Sequence, residues 1–241
     1  MRHKITNEHG MSLVEATIIL MVLATLTAVI SPSISDYVND AKSVKAKEDV
    51  EVIGGAIVRV IRDTGYPCLQ LAGTTGCTLL NRVDVLVSGG NTPTVTGADF
   101  VGTATTITGG VTVNWRGAAN QSTQFDTMDS QFVTNTPAYT GPDYTAGGGP
   151  RGSLGWRGSY LPGPISGDPW GFMYQASTAF LAIANNGGTA GTGEGAKGGG
   201  WKSDVIVVSG GQNGILQTPY GSFGGSAVGD DVVFVVRGST R

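Results

Sequence analysis

The chain begins with a long apolar segment that carries a single charged residue. Between Met11 and Ser31, Glu15 is the only Asp, Glu, Lys or Arg. As an α-helix rising about 1.5 Å per residue, this segment spans roughly 31 Å, which is enough to cross the hydrocarbon core of a bilayer. A carboxylate at that depth is costly in lipid and marks a functional position by default. The pattern therefore predicts a membrane-spanning helix with Glu15 as its candidate functional residue.

A short basic head precedes the apolar segment. Because Arg2 and Lys4 lie before it, the positive-inside rule places the N-terminus in the cytoplasm and the rest of the chain outside. An ordinary secretory signal carries its small cleavage-site residue after the apolar region, whereas here Gly10 comes before it. Cleavage after Gly10 would remove the basic head and keep the helix. The plain alternative is a signal anchor in which Glu15 reaches to the lipid headgroups.

The helical pattern continues beyond Pro32 as far as Asp63. The pair Gly54-Gly55 weakens this helix by about 1 kcal/mol per glycine relative to alanine, and we expect it to allow close packing against a sheet. Gly65-Tyr66-Pro67 is expected to end the helix. Apolar residues at three- and four-residue spacing predict one buried face: Val50, Ile53, Ile57 and Ile61.

Beyond the helix, the sequence predicts short strands joined by Gly-rich loops. A short helix is expected at Asp126–Phe132. The stretch Gly193–Gly198 has the spacing of a dinucleotide-binding loop, but a β-like stretch follows it where that motif needs a helix, so we interpret it as a flexible loop. The predicted strands are β-branched or alternate in polarity: Val83–Val87, Val111–Trp115, Val205–Val208 and Val232–Val236.

Composition narrows the function classes. The 241 residues include 39 glycines, only 14% are charged, and the net charge is −3, which gives no electrostatic footprint for nucleic acid. Both histidines, His3 and His9, precede the predicted cleavage point. The mature chain would therefore lack Ser-His-Asp and Cys-His nucleophile systems and His-ligated zinc. The sequence predicts that the chain is not an enzyme.

The N-terminal pattern is similar to that of the type IV pilin and pseudopilin family. Gly10 closes a short basic leader, Glu15 lies four positions after Met11, and Pro32 lies twenty-one positions after Met11. Met11 departs from the phenylalanine usual at this position. The resemblance implies that a prepilin peptidase cleaves between Gly10 and Met11 and methylates the new amine. It also implies that Glu15 pairs with that amine on a neighbouring subunit, because a buried charge costs much less when paired, and that Pro32 loosens the helix.

Later motifs resemble the major pseudopilin of type II secretion. They are Gly65–Pro67, Trp156–Leu161, Asp168–Tyr174, Ser209–Gly214, and Asp230-Asp231 before the last strand. The resemblance covers most of the chain except roughly 69–150 and 185–200. It implies an α+β type IV pilin fold, in which a long N-terminal helix packs on a small antiparallel sheet with long Gly-rich loops. The expected parts are a leader (1–10), a membrane and filament-core helix (11–31), an amphipathic helix half (32–64) and an exported β-rich domain (65–241).

The resemblance implies a structural subunit of a type IV pilus-like helical filament. Its partners would be further copies of itself, prepilin peptidase, an inner-membrane assembly platform driven by a cytoplasmic ATPase, and minor pilins. The precursor would lie in a bacterial inner membrane. The product would be either a periplasmic pseudopilus for protein export or a surface pilus fibre. The charged segment Asp36–Glu51 is expected to be a solvated face on a free subunit, with contacts between subunits of a filament as the alternative. The alternative is a signal-anchored binding module for carbohydrate or surfaces, using Trp115, Trp156 and Trp201.

Two further sites follow from this placement outside the inner membrane. Cys68 and Cys77 are expected to form a disulfide worth about 2–3 kcal/mol, with two unpaired thiols as the alternative. In the type II family the loop before the last strand holds calcium. The oxygen-bearing residues in the matching positions here are Ser209, Gln212, Asn213, Asp230 and Asp231. Asn213 replaces the family's aspartate, and the alternative is a plain turn closed by hydrogen bonds.

Overall fold

The structure is a computed structural model, and the residues that it describes account for the long helix and most of the sheet. They are residues 11–66, 68–71, 82–95, 105–106, 112–113, 125–137, 144, 154–178, 181, 205–219 and 227–236. The described residues fall into two units, one up to Ala41 and one from Lys42 onward.

One continuous helix, α1, runs over Leu13–Thr64 and includes Pro32. It ends where the sequence predicts, because Gly65 adopts a left-handed conformation with φ of 71° that other residues rarely take. The amphipathic face is confirmed as well. Val50, Ile53 and Ile57 are fully buried, and Ile61 packs at the edge of the same core.

The main sheet has five short strands: Val85–Val87 (β1), Phe125–Thr127 (β5), Gln175–Ala176 (β6), Val205–Ser209 (β7) and Val232–Val236 (β9). Their order in the sheet is β5-β1-β6-β7-β9. The strand β9 matches the predicted Val232–Val236, and β7 extends the predicted Val205–Val208 by one residue. Two smaller pairs lie apart from it: Thr94–Val95 (β2) with Ile215–Leu216 (β8), and Thr105–Thr106 (β3) with Thr112–Val113 (β4).

The sheet is mixed, so the expectation of a purely antiparallel sheet is wrong. Strands β6, β7 and β9 run antiparallel to their neighbours, but the edge strand β5 pairs parallel with β1, with Val85 opposite Phe125. A parallel pair needs a long crossover connection. The 37 residues from 88 to 124 separate the two strands, which is long enough for such a connection. The fold is α+β.

The main core lies between α1 and one face of the sheet. Alternate residues of β7 point to opposite faces, so that Val205 and Val207 join the helix-side core while Ile206 and Val208 join a second cluster behind the sheet. In β9, Phe234 packs at the edge of the helix-side core. These alternations explain why a strand buried on both faces reads as a continuous run of β-branched residues.

Two local predictions need correction. The segment Asp126–Phe132 is helical only from Met128 onward, because Asp126 and Thr127 belong to β5, and it continues as a π-helical turn at Ser130–Thr134. The carboxylate of Asp126 makes this strand possible by accepting bonds from the Ser130 hydroxyl and the Gln131 amide, both at 2.5 Å. Of the glycine pair, only Gly54 packs closely against the sheet. A Cβ on Gly54 would lie 2.5 Å from the Phe234 ring, whereas one on Gly55 would meet nothing within 4 Å.

Candidate functional site

The first half of α1 presents a large exposed apolar surface. The helix contains an 18-residue window long and apolar enough to cross a membrane, and 0% of that window is buried. The side chains of Leu13, Met21 and Val29 are 80%, 72% and 73% exposed. The length and composition of this helix also fit a signal sequence. They do not indicate the core helix of a soluble protein, because such a helix is mostly buried and this window is not. Exposed apolar surface of this extent marks contact with lipid or with another protein.

Glu15 lies at the start of this surface. It is exposed in the first turn of α1, where a carboxylate interacts favourably with the positive end of the helix dipole. Met11 is also exposed, at the described end of the chain, while Gly10 lies outside the described residues. The two predicted partners for a contact between copies, Met11 and Glu15, are therefore both accessible on this unit.

Pro32 lies inside α1 without ending it. Proline has no N–H, so it cannot donate the usual helical bond to the carbonyl of Ala28. Nearby, the Ser35 hydroxyl lies 3.4 Å from the Ser31 carbonyl, a local bond of the kind that eases helix bending. The predicted loosening of the helix at Pro32 stays a prediction, and the residue is exposed.

Asp168 joins two motifs that lie far apart in sequence. Its Oδ1 accepts the backbone N–H groups of Trp170, at 3.0 Å, and Phe172, at 2.8 Å, which fixes the Asp-Pro turn. Its Oδ2 accepts the Ser209 hydroxyl at 2.6 Å, and Ser209 in turn accepts the N–H of Gly211 at 3.2 Å. A buried aspartate thus ties the turn before β6 to the end of β7.

The predicted calcium loop is organised by two neighbouring aspartates with different surroundings. Asp230 is exposed, and its Oδ2 accepts the backbone N–H of Asn213 at 2.9 Å. The Asn213 side chain accepts the Ile215 N–H at 2.6 Å, and Gln212 is exposed. Ser209 is bonded to Asp168 instead. The loop is therefore closed by hydrogen bonds. The carboxylates of both Asp230 and Asp231 accept backbone N–H groups of this loop.

Asp231 is the strongest candidate cation ligand of this loop. Its Oδ2 accepts the backbone N–H groups of Gln217, at 2.9 Å, and Thr218. Its Oδ1 and the Gln217 Oε1 are buried and have no hydrogen-bond partner. Burial is the main cause that raises the pKa of the Asp231 carboxyl above its ordinary value, against hydrogen bonds from Thr218 and Gln217 that lower it, while Asp230 adds to the rise.

A buried acceptor oxygen without a donor is the kind of group that a cation satisfies. Among the described residues of this loop, Asp231 and Gln217 therefore have an unsatisfied oxygen to offer a cation, whereas the Ser209 hydroxyl is bonded to Asp168. Among the described residues, no group of three or more His, Cys, Asp or Glu side chains could hold a metal. The sequence does not predict a role for Gln217, because only the structure shows that its side-chain oxygen is buried without a hydrogen-bond partner.

The remaining predicted residues are only partly described. Cys68 is buried, and no cysteine in the described ranges is a free thiol. Its predicted partner Cys77 lies outside the described residues, so the disulfide stays a prediction. Trp156 is half-buried and packs edge-on against Tyr160 at 5.8 Å, while Trp115 and Trp201 lie outside the described residues. Trp156 therefore takes part in packing against Tyr160, and its role in ligand binding stays a prediction.

The contact of α1 with the sheet includes a polar anchor as well as the apolar core. The Tyr174 hydroxyl donates to Asp49 Oδ2 at 2.9 Å, and Lys45 donates to Asp49 Oδ1 at 2.7 Å. Burial and the nearby Asp49 carboxylate raise the pKa of Tyr174, so this hydroxyl keeps its proton throughout the physiological range. This hydrogen bond links the second half of α1 to strand β6 through the residue that precedes it.

The comparisons with known proteins gave no match: no family model, curated protein or solved structure matches this chain.

Proposed function

We propose that this protein is a structural subunit of a type IV pilus-like helical filament. The observation that carries the proposal is the exposed first half of α1, in which a membrane-length apolar surface contains Glu15 as its one carboxylate. In the membrane this surface would contact lipid, and in the filament it would contact the same surface of other copies. The globular domain would coat the outside.

Glu15 and the amine of Met11 would set the register of assembly. Cleavage by a prepilin peptidase between Gly10 and Met11 would create that amine, and methylation would keep its positive charge. A carboxylate moved from water into an apolar filament core is strongly destabilising unless it meets an opposite charge. Only a copy docked at the correct height would offer the amine to Glu15.

Two kinds of filament meet this description: a periplasmic pseudopilus for protein export and a surface pilus fibre. The motif at Asp168–Tyr174 supports the pseudopilin branch. Shearing intact cells separates the two, because surface fibres containing the chain appear in the sheared fraction whereas a periplasmic pseudopilus stays with the cells.

Calcium, when bound, would supply a positive charge to the loop before β9, with Asp231 and Gln217 holding it.

The proposal is tested by removing the charge of Glu15. The variant Glu15→Ala is expected to enter the membrane normally, because its apolar segment becomes more apolar, and to lose most of its polymer. Glu15→Asp, which keeps the charge on a shorter side chain, is the matched control and should retain part of the assembly. Sedimentation and electron microscopy of detergent-free assemblies give the readout. Normal filaments from Glu15→Ala would refute the proposed role.

A further inference from the structure

The turn between β7 and β8 contains the dipeptide Asn213-Gly214, whose chemistry the proposed filament does not use. Asn213 is exposed, and Gly214 leads directly into β8. When glycine follows asparagine, the backbone nitrogen of the glycine can attack the side-chain amide carbon of the asparagine, because no side chain obstructs the approach. Whether the folded protein favours this attack depends on how the turn holds the two groups.

A hydrogen bond holds the Asn213 side chain over the peptide that follows it. Its Oδ1 accepts the backbone N–H of Ile215 at 2.6 Å. An asparagine side chain bonded two residues ahead forms an Asx turn, which folds the side-chain carbonyl back toward the intervening peptide. That peptide contains the Gly214 nitrogen, so the attacking atom and the carbon that it must reach are brought together before any reaction.

The same hydrogen bond activates the side-chain carbonyl of Asn213. When a nitrogen adds to Cγ, negative charge develops on Oδ1, and a donor already placed on that oxygen stabilises this charge. The Ile215 N–H is such a donor. The Gly214 N–H, in contrast, donates to the Gly211 carbonyl at 3.4 Å, which is long for a hydrogen bond and holds its proton weakly.

Glycine at position 214 is required by the fold. Its φ of 65° lies in the left-handed region, and a Cβ there would overlap the Phe172 ring. The Asn213 N–H is fixed as well, because it donates to Asp230 Oδ2 at 2.9 Å. The fold therefore keeps the residue type that leaves its nitrogen unobstructed, next to an asparagine whose backbone and side chain are both oriented.

We propose that Asn213 is a self-modification site, at which the protein converts this residue to an acidic one without an enzyme. The Gly214 nitrogen loses its proton to solvent and bonds to Asn213 Cγ. The bond from Cγ to the amide nitrogen then breaks and ammonia leaves. Water opens the resulting succinimide ring and gives a carboxylate. No electrons are transferred, and water is the only co-reactant, which reaches the ring because Asn213 is exposed.

The two ways of opening the ring have different consequences for the loop. Opening at Cγ gives aspartate, whose oxygen still accepts the Ile215 N–H. Opening at the main-chain carbonyl gives isoaspartate and adds a methylene to the backbone just before Gly214, whose own carbonyl accepts the Thr94 N–H at 2.9 Å. Either product adds negative charge beside the Asp230 carboxylate. A modified loop is therefore more acidic than a newly made one.

Mass spectrometry of the purified full-length protein tests the proposal. Trypsin releases the peptide Ser203–Arg237, in which Asn213 is the only asparagine, so fragment ions assign the mass gain to this residue. At mildly alkaline pH, Asn213 should convert at least about tenfold faster than Asn91, which is also exposed but is followed by the β-branched Thr92. No conversion in the folded protein, or conversion no faster than at Asn91, would overturn the proposal.

Unfolding tests whether the turn promotes the reaction. In guanidinium chloride the dipeptide is intact but the Asx turn is lost, so conversion of Asn213 should become several-fold slower. Faster conversion in the unfolded chain would show that the turn protects Asn213 and would also overturn the proposal.

Asn213→Gln is the matched control, because glutamine keeps the amide but must close a larger ring. It should show no conversion at position 213, and conversion as fast as in the unsubstituted chain would contradict the attack by Gly214. All these measurements use the isolated protein. Their outcome is therefore separate from whether the chain forms filaments, and a failure here leaves the proposed function untouched.

Discussion

Replacing each of the adjacent glycines of α1 by alanine tests how closely the helix approaches the sheet. At both positions alanine favours the helix by about 0.8–1 kcal/mol. At Gly54 the new Cβ would lie 2.5 Å from the Phe234 ring and 3.1 Å from Val236, closer than the roughly 3.5–4 Å of an ordinary carbon contact. At Gly55 the new methyl group would meet nothing within 4 Å.

We expect Gly55→Ala to raise the free energy of unfolding and Gly54→Ala to leave it unchanged or lower it. Overpacking of a core costs about 1–3 kcal/mol. Gly55→Ala should therefore raise the free energy of unfolding by about 0.8–1 kcal/mol, and Gly54→Ala should lie about 1–3 kcal/mol below it, because the helix-propensity gain cancels in the comparison. For a chain of this size each kcal/mol corresponds to roughly 2–4 °C in Tm.

Urea unfolding of the full-length protein in mild detergent, followed by tryptophan fluorescence and repeated by thermal scan, measures both variants. Phe234→Leu combined with Gly54→Ala is the internal control. The smaller side chain relieves the contact, so the double variant should be more stable than the sum of the single changes predicts. Equal stabilisation by Gly54→Ala and Gly55→Ala would refute the close approach of α1 to β9.

Three further predictions concern the anchor, the turn and the loop. Tyr174→Phe removes the bond to the Asp49 carboxylate and should lower stability by about 1.5–3 kcal/mol in thermal unfolding. Asp168→Ala leaves buried backbone donors unpaired at about 1–3 kcal/mol each, and Asp168→Asn, which keeps one acceptor, should cost less in the same assay. Calcium should no longer stabilise the Asp231→Asn variant in thermal scans across pH and calcium concentration. The unsubstituted chain should gain about 2.7 kcal/mol of stability when the calcium concentration is a hundred times its Kd.

The pH dependence of Asp231 follows from the direction of its shift. Its pKa is raised in the folded state, so the folded protein holds this proton more tightly than the unfolded chain does. Ionisation of Asp231 therefore lowers stability as the pH rises from the ordinary aspartate pKa through the raised one. In chelator, the unsubstituted chain should lose stability relative to Asp231→Asn across that window, and calcium should remove the loss. A constant difference at all pH values, with no calcium effect, would contradict this account of the loop.

The sequence predicts the features of this fold that depend on local pattern. The C-terminal end of α1 is predicted to within one residue. The signals are the apolar segment, the spacing of Val50, Ile53 and Ile57, and the stop at Gly65. The strand β9 is a run of five β-branched or aromatic residues and is predicted with its bounds. In each case the signal lies within a few residues of the element that it specifies.

Features that depend on distant contacts could not be predicted. The parallel pairing of β5 with β1 joins strands that 37 residues separate, and local periodicity gives no information on which strands pair or in which direction. The helix expected at Asp126 and Thr127 is a strand instead, and the buried Asp126 carboxylate accepts hydrogen bonds from Ser130 and Gln131 that no local pattern announces. The bond between Asp168 and Ser209 joins two motifs that the sequence presents separately, 41 residues apart.

Mass spectrometry of the chain in its purified assembled state tests the central claim most directly. The account predicts helical assemblies whose subunits begin at Met11 with a methylated amine, and it predicts that the Glu15→Ala variant yields membrane-inserted subunits without assemblies. Assemblies whose subunits keep residues 1–10, or processed subunits that assemble equally well without the Glu15 carboxylate, would contradict it.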